Sequence, residues 1–488
     1  MRVLFIAMPA RGWDGKMTSM PFPHTGIGYL VAYLKQKGIQ SRVLDSAFDY
    51  PNFRTHVRDA VERHSPDVVG ITIYSNVANE AKDVAAEVRK HTSAPIVVGG
   101  PHISVTNKEF LEQTGVEFGV MRDGELPLYR LVAALERGGG DAEFSKIPGL
   151  IFRSKEGSYV VQDNTDLILN LDELPFPDLT EFDLRKYPAW RRKFYGIITS
   201  RGCPYACTYC AAPLVTGRKF RLRSATNVVD EIELYARRGF KRFGVADDAF
   251  NVDLDRAKDV CRQIIDRKLD IVWDMGNGIR ANTVDQEFFH LLKKAGCNFV
   301  GFGMESGNDE ILKKIKKGLK VSQMFDAVRW AREAGIGTAV NFILGHPAET
   351  YATAQDTIAL AETLPASYVN VYGLIPFRGT EAYAELKEME NAGKARFFYA
   401  PEYYLEHFSP VDIEPVFETP EFTKEQRREL LVRGRNITKR RALEYRFGKT
   451  VARLAYPVLR NHSIFTSVEK LRATKLGGWL YLKLRHED

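Results

Sequence analysis

A chain of 488 residues, 44% hydrophobic and 27% charged, has the make-up of a folded protein of about three domains with ample material for large cores. Its five cysteines are too few for a disulfide framework, and no stretch approaches the roughly 20 apolar residues of a spanning helix. The opening run Met1–Ala10 is too short for a signal peptide, so a cytoplasmic location is expected. The net charge of +7 is uneven: residues 421–488 hold 17 Lys/Arg against 7 Asp/Glu, which leaves −3 on the first 420. A partner chosen by charge belongs with the C-terminal end.

Residues 1–140 read as a doubly wound, parallel α/β block. Buried strands are expected at Val3–Ala7, Arg42–Asp45, Val68–Ile73 and Ile96–Gly99, with a weaker one at Phe118–Val120. Helical patterns alternate with them, first at Gly28–Lys37 and last ahead of the glycine run 138–140. Ligands of such sheets sit at the carboxyl ends of the strands. Residues 141–194 read as a linker that starts with a hairpin (149–161) and contains the turn-rich stretch Leu174-Pro175-Phe176-Pro177-Asp178.

Residues 195–385 repeat a strand-then-helix pattern six times. The strands are Gly196–Thr199, Arg242–Val245, Asp270–Trp273, Phe299–Phe302, Ala339–Leu344 and Tyr368–Tyr372. Six βα units imply a partial barrel, with chemistry at the strands' C-terminal ends. Residues 386–488 lose strand character and form a basic, mainly helical region, with helices expected at Glu425–Phe447 and Ser467–Leu484.

Three cysteines crowd the loop after the first barrel strand: Cys203-Pro204-Tyr205-Ala206-Cys207-Thr208-Tyr209-Cys210. Three thiolates bind three irons of a cubane and leave the fourth open, whereas zinc needs a fourth ligand nearby and no histidine falls between Tyr209 and Asp266. Cys261 and Cys297 sit in apolar patterns and read as buried small side chains.

The triplet resembles the radical S-adenosylmethionine (SAM) signature, and the family's partial six-unit barrel agrees with the pattern above. The resemblance implies a [4Fe–4S] cluster on Cys203, Cys207 and Cys210, with Tyr209 near the SAM adenine. Gly301–Ser306 resembles the family's fourth-strand motif, which implies SAM contacts for Glu305 and Ser306; alternatively Ser306 N-caps the next helix with Asp309 at N3. Ala246–Phe250 resembles a D-D-x-F segment, so Asp247 and Asp248 are candidates for touching SAM or substrate, or for capping a helix. Arg280 is a candidate cation for the SAM carboxylate, or a surface arginine. Leu344–Thr350 resembles the G-x-P-x-E-T motif, where Gly345 lets the backbone approach adenosine and Glu349-Thr350 cap a helix. Pro376–Thr380 resembles the P-x-x-G-T loop.

The N-terminal block resembles the cobalamin-binding domain of B12-dependent radical SAM proteins at Gly26–Leu30, Val68–Thr72, Val98–His102 and Asp123–Glu125. That implies Gly99 and Gly100 against the corrin or its tail, and Thr72 and Ser75 bonding the tail. Neither His24 nor His102 sits in a D-x-H-x-x-G motif, so cobalamin is expected without a protein histidine on cobalt. The branch's chemistry would be reductive SAM cleavage to a 5′-deoxyadenosyl radical and methyl transfer from methylcobalamin to an unactivated carbon. Cyclisation, oxidation or carbon coupling with the same cofactors is the alternative; a non-catalytic cobalamin or SAM sensor is the rival of another class. The expected partners are a small-molecule or lipid-like substrate and a flavodoxin- or ferredoxin-type reductant, with no nucleic acid. The basic C-terminal region reads either as a helical cap on the barrel or as a peripheral contact with anionic membrane.

Overall fold

The computed structural model describes residues 1–459 except 12–16, 19–21, 46–49, 164, 188, 190, 191 and 409–411. The helix expected at 467–484, with Trp479 and Tyr481, lies outside the described residues.

The first sheet contains β1 (Arg2–Ala7), β2 (Gln40–Asp45), β3 (Val68–Thr72), β4 (Ile96–Gly99), β5 (Phe118–Val120), β6 (Leu150–Arg153) and β7 (Tyr159–Val161), in the order β2-β1-β3-β4-β5-β6-β7. The first five are parallel. Side chains of a strand alternate between faces, and β1 shows both faces covered. Val3, Phe5 and Ala7 join the cluster of Ile27, Val31 and Leu34 on α1 (Thr25–Gln36), while Leu4 and Ile6 join Val57 and Val61 on α2 (Phe53–His64). That is why every β1 residue after Arg2 is apolar and buried. The order reverses between β1 and β3, which opens a crevice at their carboxyl ends. The sheet runs past residue 140: the hairpin β6–β7 pairs antiparallel with β5 and covers an edge that would otherwise stay open.

The second sheet is formed by β8 (Phe194–Ile197), β9 (Arg242–Val245), β10 (Val272–Ile279), β11 (Cys297–Glu305), β12 (Gly337–Leu344) and β13 (Tyr368–Gly373), all parallel and in chain order. The third strand lies further along the chain than the Asp270–Trp273 expected. It continues through Asp274-Met275-Gly276, and its register against β11 shifts between Met275 and Ile279. A bulged strand carries polar and glycine residues that read as loop.

The two sheets share one core, in which Val120 and Phe152 of the first belong to the same cluster as Ile197, Phe243 and Trp273 of the second. Helix α3 (Lys424–Leu459), broken at Gly448, lies on β13, with Leu431 beside Gly373 and Gly434 against Val371. Its Leu430, Leu431 and Ile437 are buried. Arg428 and Lys424 pair with Glu414, and Arg433 with Glu362. The described part of this basic helix is therefore a cap on the barrel. No helix among the described residues is long and apolar enough to cross a membrane.

Candidate active site

Cys203, Cys207 and Cys210 are half-buried on the loop that leaves β8. Backbone bonds fix the loop: Cys203 N donates to Gly217 O (3.0 Å) and Thr208 N to Ile315 O (3.1 Å), while Ala382 N donates to Thr208 O (2.9 Å). Burial raises the Cys203 thiol and pushes Cys210 up to about 11, so a bound cation is what would hold them as thiolates. Among the described residues no three Cys, His, Asp or Glu side chains gather on a single metal ion. Three thiols on one loop without a fourth protein ligand suit a cubane, in which each binds a different iron. Arg280 reaches this loop from the end of β10. It stacks on Tyr205 at 3.6 Å, donates to Lys317 O, and places Nη1 3.9 Å from the Cys207 sulfur. It is buried rather than a surface residue.

Glu305 ends β11 in a left-handed conformation (φ 67°) and is buried in an ion pair with Lys317 (2.8 Å). Lys317 also lies 3.3 Å from the Tyr209 hydroxyl, so Tyr209, Glu305 and Lys317 form one group at the barrel mouth. Ser306 is turned away from it. The hydroxyl is 3.3 Å from that of Thr357 and accepts from Asn308 N (3.2 Å). The N-cap of the next helix is Asn308, which accepts from Glu310 N and Ile311 N, and not Ser306. Its local bonds consume Ser306.

The adjacent carboxylates 247 and 248 part company. Asp247 is buried and accepts from Thr199 N, Thr199 Oγ1 and Ser200 Oγ at 2.5–2.7 Å, which ties the end of β9 to that of β8. Burial raises its pKa. It faces neither solvent nor a helix terminus. Asp248 is exposed, accepts from Thr216 Oγ1 (2.7 Å) and acts electrostatically on Cys203 and Cys210.

At the tip of β12, Gly345 stands at φ 100°, a conformation that suits glycine. Its N–H donates to Glu349 and its carbonyl accepts from Arg427 Nη1 (3.3 Å). Glu349 is buried with a pKa raised to about 7. Thr350 alone caps the following helix. Lys317, His346 and Arg427 were not singled out in the sequence. Lys317 stands there beside the like-charged Lys316, and Arg427 in the basic C-terminal run.

The crevice of the first sheet is a cavity of about 290 Å³ that the two sheets enclose together. Thr72, Gly99, Gly100 and Asp123 line it from one side, and Ser200, Arg201, Thr216 and Asp248 from the other. Gly100 (φ 100°) passes so close to β3 that a Cβ would lie 2.8 Å from Ile73 O, leaving flat backbone along the cavity wall. Ser75 does not reach this wall: His102 Nδ1 and Ser75 Oγ are bonded to each other at 3.1 Å. His24 does line the cavity, but its Nε2 donates to Met8 O (2.8 Å). At the floor Arg201, two residues before Cys203, pairs with Glu125 (2.7 Å) and Asp123 (3.4 Å), and Asp123 also holds Arg221 (2.5 Å). These bridges join the first sheet to the cysteine loop.

Residues 197–361 match the family model of the radical SAM superfamily, and residues 19–132 that of the B12 binding domain. An uncharacterized methyltransferase of Pyrococcus horikoshii is 30% identical over 386 residues, covering 78% of this chain and 82% of the relative. The anaerobic magnesium-protoporphyrin IX monomethyl ester cyclase of Rubrivivax gelatinosus is 26% identical over 394 residues, covering 79% and 70%. The structure of the radical SAM methyltransferase TsrM from Kitasatospora setae, with cobalamin and a [4Fe–4S] cluster bound, has the same fold (TM-score 0.70, 23% identity, 83% of this chain and 80% of that one).

Proposed function

The chain belongs to the radical SAM enzymes that carry an N-terminal B12-binding domain, and we propose that it is a cobalamin-dependent C-methyltransferase acting on a small molecule held between its two sheets. One observation carries this reading: the B12-type crevice and the end of the barrel line one cavity, whose wall residue Arg201 leads directly into the cysteine loop. A methyl donor on one side and a hydrogen-abstracting centre on the other would then face the same substrate carbon.

In this reading Cys203, Cys207 and Cys210 hold the [4Fe–4S] cluster, and Tyr209, Glu305, Arg280 and Gly345 surround SAM. Thr72, Gly99 and Gly100 border cobalamin. When bound, the cluster with SAM supplies hydrogen abstraction from carbon, and the corrinoid supplies the methyl group. The chain's own part is placement and exclusion of water. Arg280 sets positive charge beside Cys207, where an anionic cluster and a carboxylate need it. The Glu305 carboxylate, pinned by Lys317, offers acceptors to an ammonium or ribose group. Asp248 and Thr216 present polar atoms inside the shared cavity and are the substrate contacts of this scheme. Asp247, Ser306 and Ser75 support backbone and neighbouring side chains. The electron would come from a flavodoxin- or ferredoxin-type donor.

A lipid-like substrate met at an anionic membrane rests on the basic C-terminal residues alone, and the packing of α3 on β13 favours the cap. Anaerobic turnover of protein loaded with iron, sulfide and cobalamin should yield 5′-deoxyadenosine and S-adenosylhomocysteine together. Deoxyadenosine without S-adenosylhomocysteine would remove methyl transfer and favour chemistry like that of the cyclase relatives.

A further inference from the structure

Buried polar atoms in folded proteins are rarely left without a partner, so a buried side chain with two orphaned atoms asks for an explanation. His346 is such a side chain. It has no exposed surface, and neither Nδ1 nor Nε2 meets a hydrogen-bond partner among the described residues. The other two buried histidines among the described residues differ: His24 has Met8 O and His102 has Ser75 Oγ. Burial lowers the His346 pKa to about 4, which leaves the ring neutral with one donor nitrogen and one acceptor.

Its surroundings are those of the site. His346 follows Gly345 at the tip of β12, and its ring stands edge-on to Tyr209 with centroids 5.3 Å apart. The charges of Glu305, Arg427 and Lys317 act on it. The loop that carries it is fixed on both sides of Gly345, its N–H by Glu349 and its carbonyl by Arg427. Packing against Tyr209 alone would be served by leucine or phenylalanine, with no nitrogen to satisfy.

We propose that His346 is a further SAM-contacting residue, its imidazole hydrogen-bonding the nucleoside half of the cofactor beside Tyr209. A neutral donor–acceptor pair matches an adenine edge or ribose hydroxyls. The charged amino-acid half calls for charged partners, which Glu305, Arg280 and Lys317 provide. The proposal rests on the reading that SAM binds in this barrel mouth.

The test compares wild type with H346L, H346F and H346Q, each reconstituted anaerobically with iron and sulfide. Dissociation constants for SAM, 5′-deoxyadenosine and methionine are taken from equilibrium dialysis and from the electron paramagnetic resonance signal of the reduced cluster. H346L, or H346F should the leucine variant not fold, is expected to weaken SAM and 5′-deoxyadenosine about tenfold or more. Methionine binding and iron content should stay unchanged, and H346Q should recover much of the loss. A SAM constant within twofold of wild type in the apolar variant overturns the proposal. So does an equal loss for methionine, which would mark His346 as structural. Wild-type protein that takes up the cluster but binds neither SAM nor 5′-deoxyadenosine would bring down the parent reading, and the proposal with it.

Discussion

Glu305 holds a backbone conformation that costs a residue with a Cβ about 1–3 kcal/mol, and keeps its carboxylate out of water against Lys317. Removing one partner of a buried pair typically costs about 3–5 kcal/mol, because the other charge stays buried alone, while replacing both is often neutral. Glu305→Gln should therefore lower stability by about 3 kcal/mol, and adding Lys317→Met should return most of it. Urea unfolding of the two singles and the double decides this; simple additivity would show that the pair is not coupled. The same residues show what a sequence conceals at this scale. Glu305 was legible because it ends a strand within a motif. Lys317 was not, since Lys316 and Lys317 look alike, yet one reaches the exposed Glu381 and the other turns inward. Asp247 and Asp248 pose the same problem: neighbours on a strand end point opposite ways, and only the fold says which meets Thr199 and which meets the cavity.

Helix α3 shows a competition between backbone propensity and packing. Alanine in place of a mid-helix glycine stabilises by about 1 kcal/mol where there is room. At Gly434 there is none: a Cβ would lie 2.5–2.9 Å from all three branch carbons of Val371 on β13. Overpacking costs about 1–3 kcal/mol, so the clash wins and Gly434→Ala should lower the melting temperature. A rise instead would mean that α3 is not seated on β13 as described. The helix itself was legible from its pattern, and its first straight segment ends beside the expected Phe447, at Gly448 (φ 78°). Its seat as a cap on the barrel was one of the two readings of the sequence; which of its arginines turns inward was not legible, and Arg427 lies between Phe417 and Phe422. Strands with a short buried run were found close to their observed ends: β9 and β4 fall where they were expected. The bulged β10 was not, because its register shifts after Met275, and Gly278, where a Cβ would run into Asp247 O, stands where the pattern calls for an apolar residue.

At the scale of the whole molecule, three neutral imidazoles are buried among the described residues, one in the first sheet's crevice, one behind it and one at the barrel mouth. Burial lowers His24, His102 and His346 to about 4 each. Unfolded, each would titrate near 6.5. A base with a depressed folded pKa contributes stability that is complete above the unfolded value and is lost as pH falls through the folded one. Glu349 works in the other direction. Burial raises it to about 7, so its contribution is complete below about 4.5 and is lost as pH rises through 7. Between pH 4.5 and 6.5 three groups oppose one, and stability should rise with pH by about 2–3 kcal/mol per unit from these four. Protons counted directly give the sharper test, because they require no assumption that two joined sheets unfold in one step. Urea unfolding of cofactor-free protein near pH 5.5, in weak buffer, should draw about two protons onto these groups, and His102→Phe should draw about one fewer than wild type. Equal uptake by the two proteins would mean that His102 is already protonated in the fold, and that its surroundings are wetter than its bond to Ser75 and its burial against Phe110 imply.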